Sequence, residues 1–129
     1  VAALSEDIPV STTEELRDFV ARGGFRPLRV ASEYTNIADR YLRDNRIGAY
    51  KVMPTWGASE AFLPDDADLL VDNTQTGKTL VENRLKIIEV ILRSSACLIA
   101  NAESFEMPAK RARIEHLRTM LAGAVNETG

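Results

Sequence analysis

Leu69-Leu70-Val71-Asp72-Asn73-Thr74-Gln75-Thr76-Gly77-Lys78-Thr79-Leu80 reads as the end of a strand, a hydroxyl-rich loop and the start of a helix. The apolar triplet supplies the strand and Asp72 closes it. Thr74, Thr76 and Thr79 surround one Gly and one Lys. Such a loop offers backbone N–H groups, hydroxyls and a cation to one anionic group, and a helix N-terminus adds its partial positive charge. A pocket for a phosphate ester is therefore expected, with Asp72 placed to meet a sugar hydroxyl or a metal. A plain strand-to-helix connection with good capping chemistry accounts for the same residues equally well. An ordinary P-loop is excluded. Gly77-Lys78-Thr79 fits the end of Gly-x-x-x-x-Gly-Lys-Ser/Thr, but its first Gly would fall at position 72, which is Asp. A Cβ and a negative charge would stand where that loop wraps its backbone around phosphate.

Outward from this stretch, helices alternate with short apolar runs. Ser11-Thr12-Thr13-Glu14 reads as a capping box, with Ser11 at N-cap and Glu14 at N3. The helix it opens carries Leu16, Phe19 and Val20 on one face and ends at Gly23-Gly24. Strands are expected over 28–32, 49–53, 67–71, 86–92 and 96–100. A second helix, capped by Thr35 or Asn36, points Ile37, Tyr41 and Leu42 inward and Arg40, Arg43 and Asp44 outward. A short helix covers 79–84. Pro108 opens the last helix, with Ile114, Leu117 and Leu121 on one face. Lys110, Arg111, Arg113 and Arg118 on its other face read as solvated surface, because Glu106, Glu115 and Glu127 dilute their charge.

This alternation predicts an α/β fold, a three-layer sheet with helices on both faces. Sheets of that kind bind ligands beyond the carboxyl ends of their strands. Three loops leave strands there: Glu33-Tyr34-Thr35-Asn36, Trp56-Gly57-Ala58-Ser59-Glu60, and 74–79. Their convergence would make one cleft.

With 129 residues the chain is long enough for one domain with a sizeable core. The net charge of −3 gives no electrostatic case for nucleic acid. No apolar run approaches the ~20 residues of a membrane span, and nothing resembles a signal peptide, so a cytoplasmic protein without membrane contact is expected. The first residue is Val rather than Met, as in a processed or excised piece. One Cys (Cys97) and one His (His116) exclude an intrachain disulfide and a zinc site of the usual type. His116 lies in a charged helical stretch far from any Gly-rich turn, which argues against nucleophilic catalysis.

Several separated motifs, in order, carry a family resemblance. Asp72-x-Thr-x-Thr-Gly-x-Thr-Leu is followed by Glu82-Asn83-x-Leu85 and by Ser94-Ser95-Ala96-x-Leu98-Ile99-Ala100-Asn101. Trp56-Gly57-Ala58-Ser59-Glu60 and Arg29-Val30-Ala31-Ser32-Glu33-Tyr34-Thr35-Asn36 precede them, and Glu6-Asp7-x-Pro9 opens the series. Together they resemble ATP phosphoribosyltransferase, which takes the first step of histidine biosynthesis. The resemblance implies a lobe of the type II periplasmic-binding-protein-like fold. It also implies a transferase in which N1 of the ATP adenine displaces pyrophosphate from C1′ of phosphoribosyl pyrophosphate, with Mg²⁺ present. By the resemblance, Thr74, Thr76, Gly77, Lys78 and Thr79 hold the 5′-phosphate, and Gln75 binds phosphoribosyl pyrophosphate at a ribose hydroxyl or a metal-bound water. Asp72 accepts from ribose hydroxyls, or meets the metal. Tyr34, Thr35, Trp56, Gly57 and Glu60 become cleft residues, Glu60 toward nucleotide or metal; a first-turn acid favoured by the helix dipole explains Glu60 as well. Such a reaction runs on positioning and electrostatics, so no base or nucleophile is assigned.

Two departures stand out. The family often has Glu where this chain has Gln75, and it carries a further lobe before the matched region. The resemblance thus divides the chain into a phosphoribosyl-binding lobe, 1–93, and a crossover strand with a C-terminal helix, 94–129, that would pack on that first lobe. It implies a homo-oligomer for the full-length enzyme and little turnover for this chain alone. A non-catalytic small-anion or regulatory module of the same fold is the alternative.

Overall fold

The computed structural model describes residues 1–127. They fall into two compact units, divided between Arg93 and Ser94. The first holds β1 (Ala2–Ser5), α1 (Thr13–Ala21), β2 (Leu28–Ser32), α2 (Thr35–Asp44), β3 (Tyr50–Pro54), a 3₁₀ turn (Ser59–Phe62), β4 (Leu69–Val71), α3 (Lys78–Glu82) and β5 (Leu85–Glu89). The second holds α4 (Ala102–Glu106) and α5 (Pro108–Glu127).

The five strands form one sheet in the order β3-β2-β4-β1-β5. β2 runs parallel to β3 and to β4, with Val30 opposite Val52 and Leu69. β1 is antiparallel to β4 and β5, with Ala3 opposite Leu70 and Ile87. β1 was not expected from the sequence. Ala2-Ala3-Leu4-Ser5 lacks the β-branched and aromatic residues that mark strands, and it forms because it is buried between two neighbours that satisfy both its edges.

Residue alternation along each strand sends side chains to opposite faces. Ala2, Leu4, Leu28, Val30, Leu69 and Val71 pack in one cluster with Leu16 and Val20 of α1 and Ala38, Tyr41 and Leu42 of α2. Ala3, Ala31 and Leu70 pack on the other face with Leu63, Ala67, Leu80 and Leu85. Helical or turn segments therefore cover both faces, as the α/β reading requires.

Local departures have local causes. Thr12, not Ser11, caps α1: its Oγ1 accepts the Glu15 N–H at 3.2 Å, and Glu15 Oε2 accepts the Ser11 N–H at 2.6 Å. The sequence contains two overlapping Ser/Thr-x-x-Glu frames. The one that wins points Thr13 inward, where its hydroxyl meets Tyr41 Oη at 2.7 Å. Tyr34 rather than Thr35 or Asn36 stands at the N-cap of α2, without a side-chain cap bond. Ala38 is buried with Tyr41 and Leu42 on that helix, and Ile37 is only half-buried. β4 is shorter than expected because Asp68 turns to serve Arg29. Its carboxylate accepts the Arg29 backbone N–H at 2.8 Å, Nε at 3.1 Å and the guanidinium NH2 at 2.7 Å. This partner raises the Arg29 pKa above its ordinary value.

In the second unit, the strand expected over 96–100 is not formed. A strand needs a neighbour to bond its edge, and among the described residues none pairs with this run. α4 was not expected; Asn101 caps it by accepting the Glu103 N–H at 2.8 Å. Along α5, Leu117, Met120 and Leu121 are exposed, and Arg118 pairs with Glu115 at 2.8 Å. No helix is long and apolar enough to cross a membrane among the described residues.

Candidate functional site

The loops after β2, β3 and β4 leave the same end of the parallel strands and meet at one open cleft of about 380 Å³. Glu33 comes from the first loop, Ala58 and Glu60 from the second, and Asp72, Asn73, Thr74, Gln75, Thr76 and Thr79 from the third, over a floor of Leu70 and Leu80. The convergence follows from the topology: β3, β2 and β4 are parallel neighbours, so their carboxyl ends stand side by side.

Ser32 stitches two of these ends together. It is fully buried, and its Oγ donates to the Val71 carbonyl at 2.5 Å while accepting the Tyr34 N–H at 2.9 Å. The exit of β2 and the last residue of β4 are thereby held by one hydroxyl, one residue before Asp72. Asp72 itself is half-buried. Its Oδ1 accepts the Asn73 N–H at 2.7 Å, and Oδ2 meets no donor among the described residues, so it remains able to accept from a ligand hydroxyl.

The loop after Asp72 is shaped by its own side chains. Thr74 Oγ1 accepts the Gly77 N–H at 3.0 Å and Thr76 Oγ1 accepts the Lys78 N–H at 3.3 Å. Gly77 sits at φ +72°, a left-handed turn that favours Gly. These bonds occupy two of the amides but not the hydroxyl protons. A Thr Oγ that accepts an N–H still has its own O–H to donate. Gln75, Thr76 and Thr79 keep N–H groups with no protein acceptor among the described residues. α3 is only five residues long, so its dipole is short and its free first-turn N–H groups matter more.

Two residues of the expected cradle stand off the lining. Gly77 and Lys78 are not among the cleft residues; the Lys78 ammonium leans toward Glu82 Oε1 at 3.7 Å in an exposed i,i+4 pair. Such a pair is weak enough to give way to a better anion. Tyr34, Thr35, Trp56 and Gly57 also lie outside the lining, although two of them brace it. Tyr34 Oη accepts from Asn73 Nδ2 at 3.3 Å, and the Gly57 N–H donates to a Glu33 carboxylate oxygen. Glu33, Ala58 and Asn73 line the cleft and Ser32 braces it, none of them named as a candidate residue from the sequence although the first three lie in the suspected loops. Glu33 was legible in principle, as an acid one residue past a strand in a loop already suspected.

The charge is one-sided. Glu33, Glu60 and Asp72 face the cleft, and no Lys or Arg lines it. No three acidic, His or Cys side chains among the described residues gather closely enough to hold a metal by themselves. The cleft therefore offers hydroxyls, amides and carboxylates to a polyhydroxy phosphate. It presents no nucleophile placed against a base.

Comparison with known proteins bears on the family. The family model described as HisG, ATP phosphoribosyltransferase, matches residues 1–123. The ATP phosphoribosyltransferase of Chlorobium luteolum is 40% identical over all 129 residues, which span 40% of its length. That of Chlorobaculum parvum is 38% identical over the same span. That of Solibacter usitatus is 42% identical over 100 residues, 78% of this chain and 34% of its own. The chain thus spans about 40% of the length of the first two relatives. Among solved structures, a chain of the ATP phosphoribosyl transferase (HisG:HisZ) complex from Thermotoga maritima superimposes with a TM-score of 0.56 over 98% of this chain and 56% of that one, at 21% identity. At that identity the likeness speaks for the fold. With a matching family model over nearly its whole length, the chain belongs to the ATP phosphoribosyltransferase family.

Proposed function

We infer that residues 1–93 are the phosphoribosyl-binding lobe of an ATP phosphoribosyltransferase, the enzyme that joins phosphoribosyl pyrophosphate to ATP in the first step of histidine biosynthesis. The observation that carries this reading is the single cleft built by three strand-end loops, with Asp72 beside a Thr-rich turn. The turn offers O–H and N–H donors to a 5′-phosphate, and Asp72 Oδ2 offers an acceptor to the ribose hydroxyls. Gln75 lines the same cleft and, as an amide, both accepts and donates. The exposed Leu117, Met120 and Leu121 on α5 are the surface we assign to packing against the rest of the family's length.

Transfer between two anionic substrates is a matter of holding C1′ and the attacking nitrogen in line while charge builds on the leaving pyrophosphate. In this lobe the turn anchors one end of the sugar and Asp72 orients its ring. Mg²⁺ fits the donor set in the mode usual for it, one or two carboxylates with the remaining places taken by phosphate oxygens and water. Asp72 is the residue best placed for that contact, and the metal would offset the leaving group's charge. We place the protein in the cytoplasm and assign a homo-oligomeric state to the full-length enzyme as part of the same reading.

Calorimetry with phosphoribosyl pyrophosphate and Mg²⁺ tests the lobe directly. Wild type binds; Gly77→Val, which forces a β-branched side chain into the left-handed turn, and Asp72→Ala each weaken binding at least tenfold. Equal affinity in all three proteins removes the site assignment. No heat with either phosphoribosyl pyrophosphate or ribose 5-phosphate removes the reading of the lobe.

A further inference from the structure

Trp56 is the chain's one tryptophan, and it is 89% exposed. The turn that carries it is held on every side. At its feet, Thr55 and Ser59 are buried and their hydroxyls bond at 2.7 Å. The Thr55 N–H donates to the Ser32 carbonyl at 3.1 Å, tying the turn to the end of β2. At its tip, the Gly57 N–H is taken by the Glu33 carboxylate. Gly57 and Ala58 both adopt positive φ, +85° and +49°. The second is an unfavourable conformation for a residue with a Cβ, so the surrounding bonds over-determine it. A braced, partly strained turn that keeps a large apolar ring in water is poorly explained by stability alone.

Trp56 is outside the cleft lining, but the turn that carries it borders the cleft. Ala58 and Glu60, on the same turn, line the cleft, and so does Glu33, which braces it. The cleft's own lining contains no aromatic ring. It suits a sugar phosphate and gives a nucleobase nothing flat to lie on. Indole offers a broad flat stacking face, and base–aromatic stacking is available to any base because every base has a π-face. The carboxylates of Glu33 and Glu60 on the adjoining wall are acceptors for an exocyclic amine, which favours adenine over a base that presents only a carbonyl.

We propose that Trp56 determines recognition of the acceptor, stacking on the adenine ring of the nucleotide brought to the cleft, and that Glu33 is the positioning residue that holds the turn carrying the indole, through the Gly57 N–H. This rests on the phosphoribosyl-transfer reading above. Because Trp56 is the sole tryptophan, its emission reports the contact without labelling. The test titrates the chain with AMP and, separately, with base-free ribose 5-phosphate, following both tryptophan emission and calorimetric heat. AMP quenches the emission saturably, and ribose 5-phosphate binds without that quench. Trp56→Leu weakens AMP binding about tenfold and leaves ribose 5-phosphate unchanged, while Trp56→Phe keeps most of the affinity. Glu33→Ala reduces the quench and Glu33→Gln restores it, because the amide oxygen still accepts the Gly57 N–H. Equal AMP affinity in wild type and Trp56→Leu overturns the proposal, as does AMP binding without quenching, or no AMP binding while ribose 5-phosphate binds. Loss of ribose 5-phosphate binding alone counts against the phosphate loop instead, and adenosine quenching then decides Trp56 by itself.

Discussion

Replacing Ser32 by Ala should be the most damaging one-atom change near the cleft. The hydroxyl is fully buried and serves two backbone groups: it donates to the Val71 carbonyl at 2.5 Å and accepts the Tyr34 N–H at 2.9 Å. Ala fills nearly the same space, so the loss is of hydrogen bonding rather than packing. A buried polar group left unpaired costs about 1–3 kcal/mol. The Val71 carbonyl incurs that penalty in full, because it lies beyond the last β2–β4 register pair, Ala31 with Leu70. The Tyr34 N–H is only partly buried, so water recovers part of its bond and its share is nearer ~0.5 kcal/mol. The sum is about 1.5–3.5 kcal/mol, which lowers the melting temperature of a domain this size by roughly 6–25 °C. Urea unfolding followed by far-UV circular dichroism measures it. Ser32→Thr keeps the donor and should recover stability if its methyl is accommodated. A loss below ~0.5 kcal/mol in Ser32→Ala, at the usual uncertainty of such extrapolations, would refute the idea that this hydroxyl joins the strand ends. Where the stability falls as expected, ribose 5-phosphate affinity should fall with it at temperatures well below the melt, since Asp72 follows Val71 directly.

Two further outcomes probe the packing beneath the site. Thr12→Ala should cost about 1 kcal/mol and Ser11→Ala much less, because only the Thr12 hydroxyl accepts the Glu15 N–H; the reverse order in thermal melts would restore the other capping frame. Burial first, and then the Glu89 charge, raise the Tyr41 pKa above 10.0, against the lowering effect of its Thr13 hydrogen bond. The folded state then holds its phenol proton more tightly than the unfolded chain, so this contribution is fully present below pH 10 and is lost as pH rises through the folded value. Tyr41→Phe should flatten that alkaline decline in a pH series of urea melts, at a neutral-pH cost of about 0.5–1.5 kcal/mol for the lost bond; an unchanged alkaline slope would argue that another group titrates there.

The parts of this fold legible in the sequence are those whose signal is local. β2 and β3 sit almost where their apolar runs place them, and the three strand-exit loops meet as the α/β rule demands. β1 was invisible because Ala-Ala-Leu-Ser carries no strand propensity and its pairing partners lie about 70 and 85 residues away. The run over 96–100 erred in the opposite way: the residues suit a strand, but propensity cannot supply a neighbour. Of the cleft's lining, Asp72 and the Thr turn were expected from the sequence. The bonds that brace them could not be, since Ser32 to Val71, Glu33 to Gly57 and Tyr34 to Asn73 all join residues that only the sheet order brings together. The cradle was also expected to present Lys78 to the ligand, whereas the side chain rests on Glu82, the neighbour one helical turn on that i,i+4 geometry always offers.

The charge of the cleft bears on how the proposed ligand is divided among its binding groups. Three carboxylates face the space and no basic side chain lines it. A monophosphate at the Thr turn is tolerable there, because hydroxyls and amides stabilise it by direct hydrogen bonds at contact distance. A diphosphate on C1′ is a different problem. Unit charges of like sign 4 Å apart repel by roughly 4 kcal/mol at an effective dielectric near 20, so several such contacts would more than cancel the turn's hydrogen bonds. The leaving end of the donor is therefore the end that needs positive charge from outside the lining: a divalent ion carried in with the phosphates, or Lys78 released from its weak pair with Glu82. The same carboxylates suit the other requirements, accepting from ribose hydroxyls and from an adenine amine. On the proposed reading, the lobe would distinguish the two ends of the phosphoribosyl donor by charge, meeting the sugar's 5′-phosphate with neutral donors and relying on added positive charge at the diphosphate.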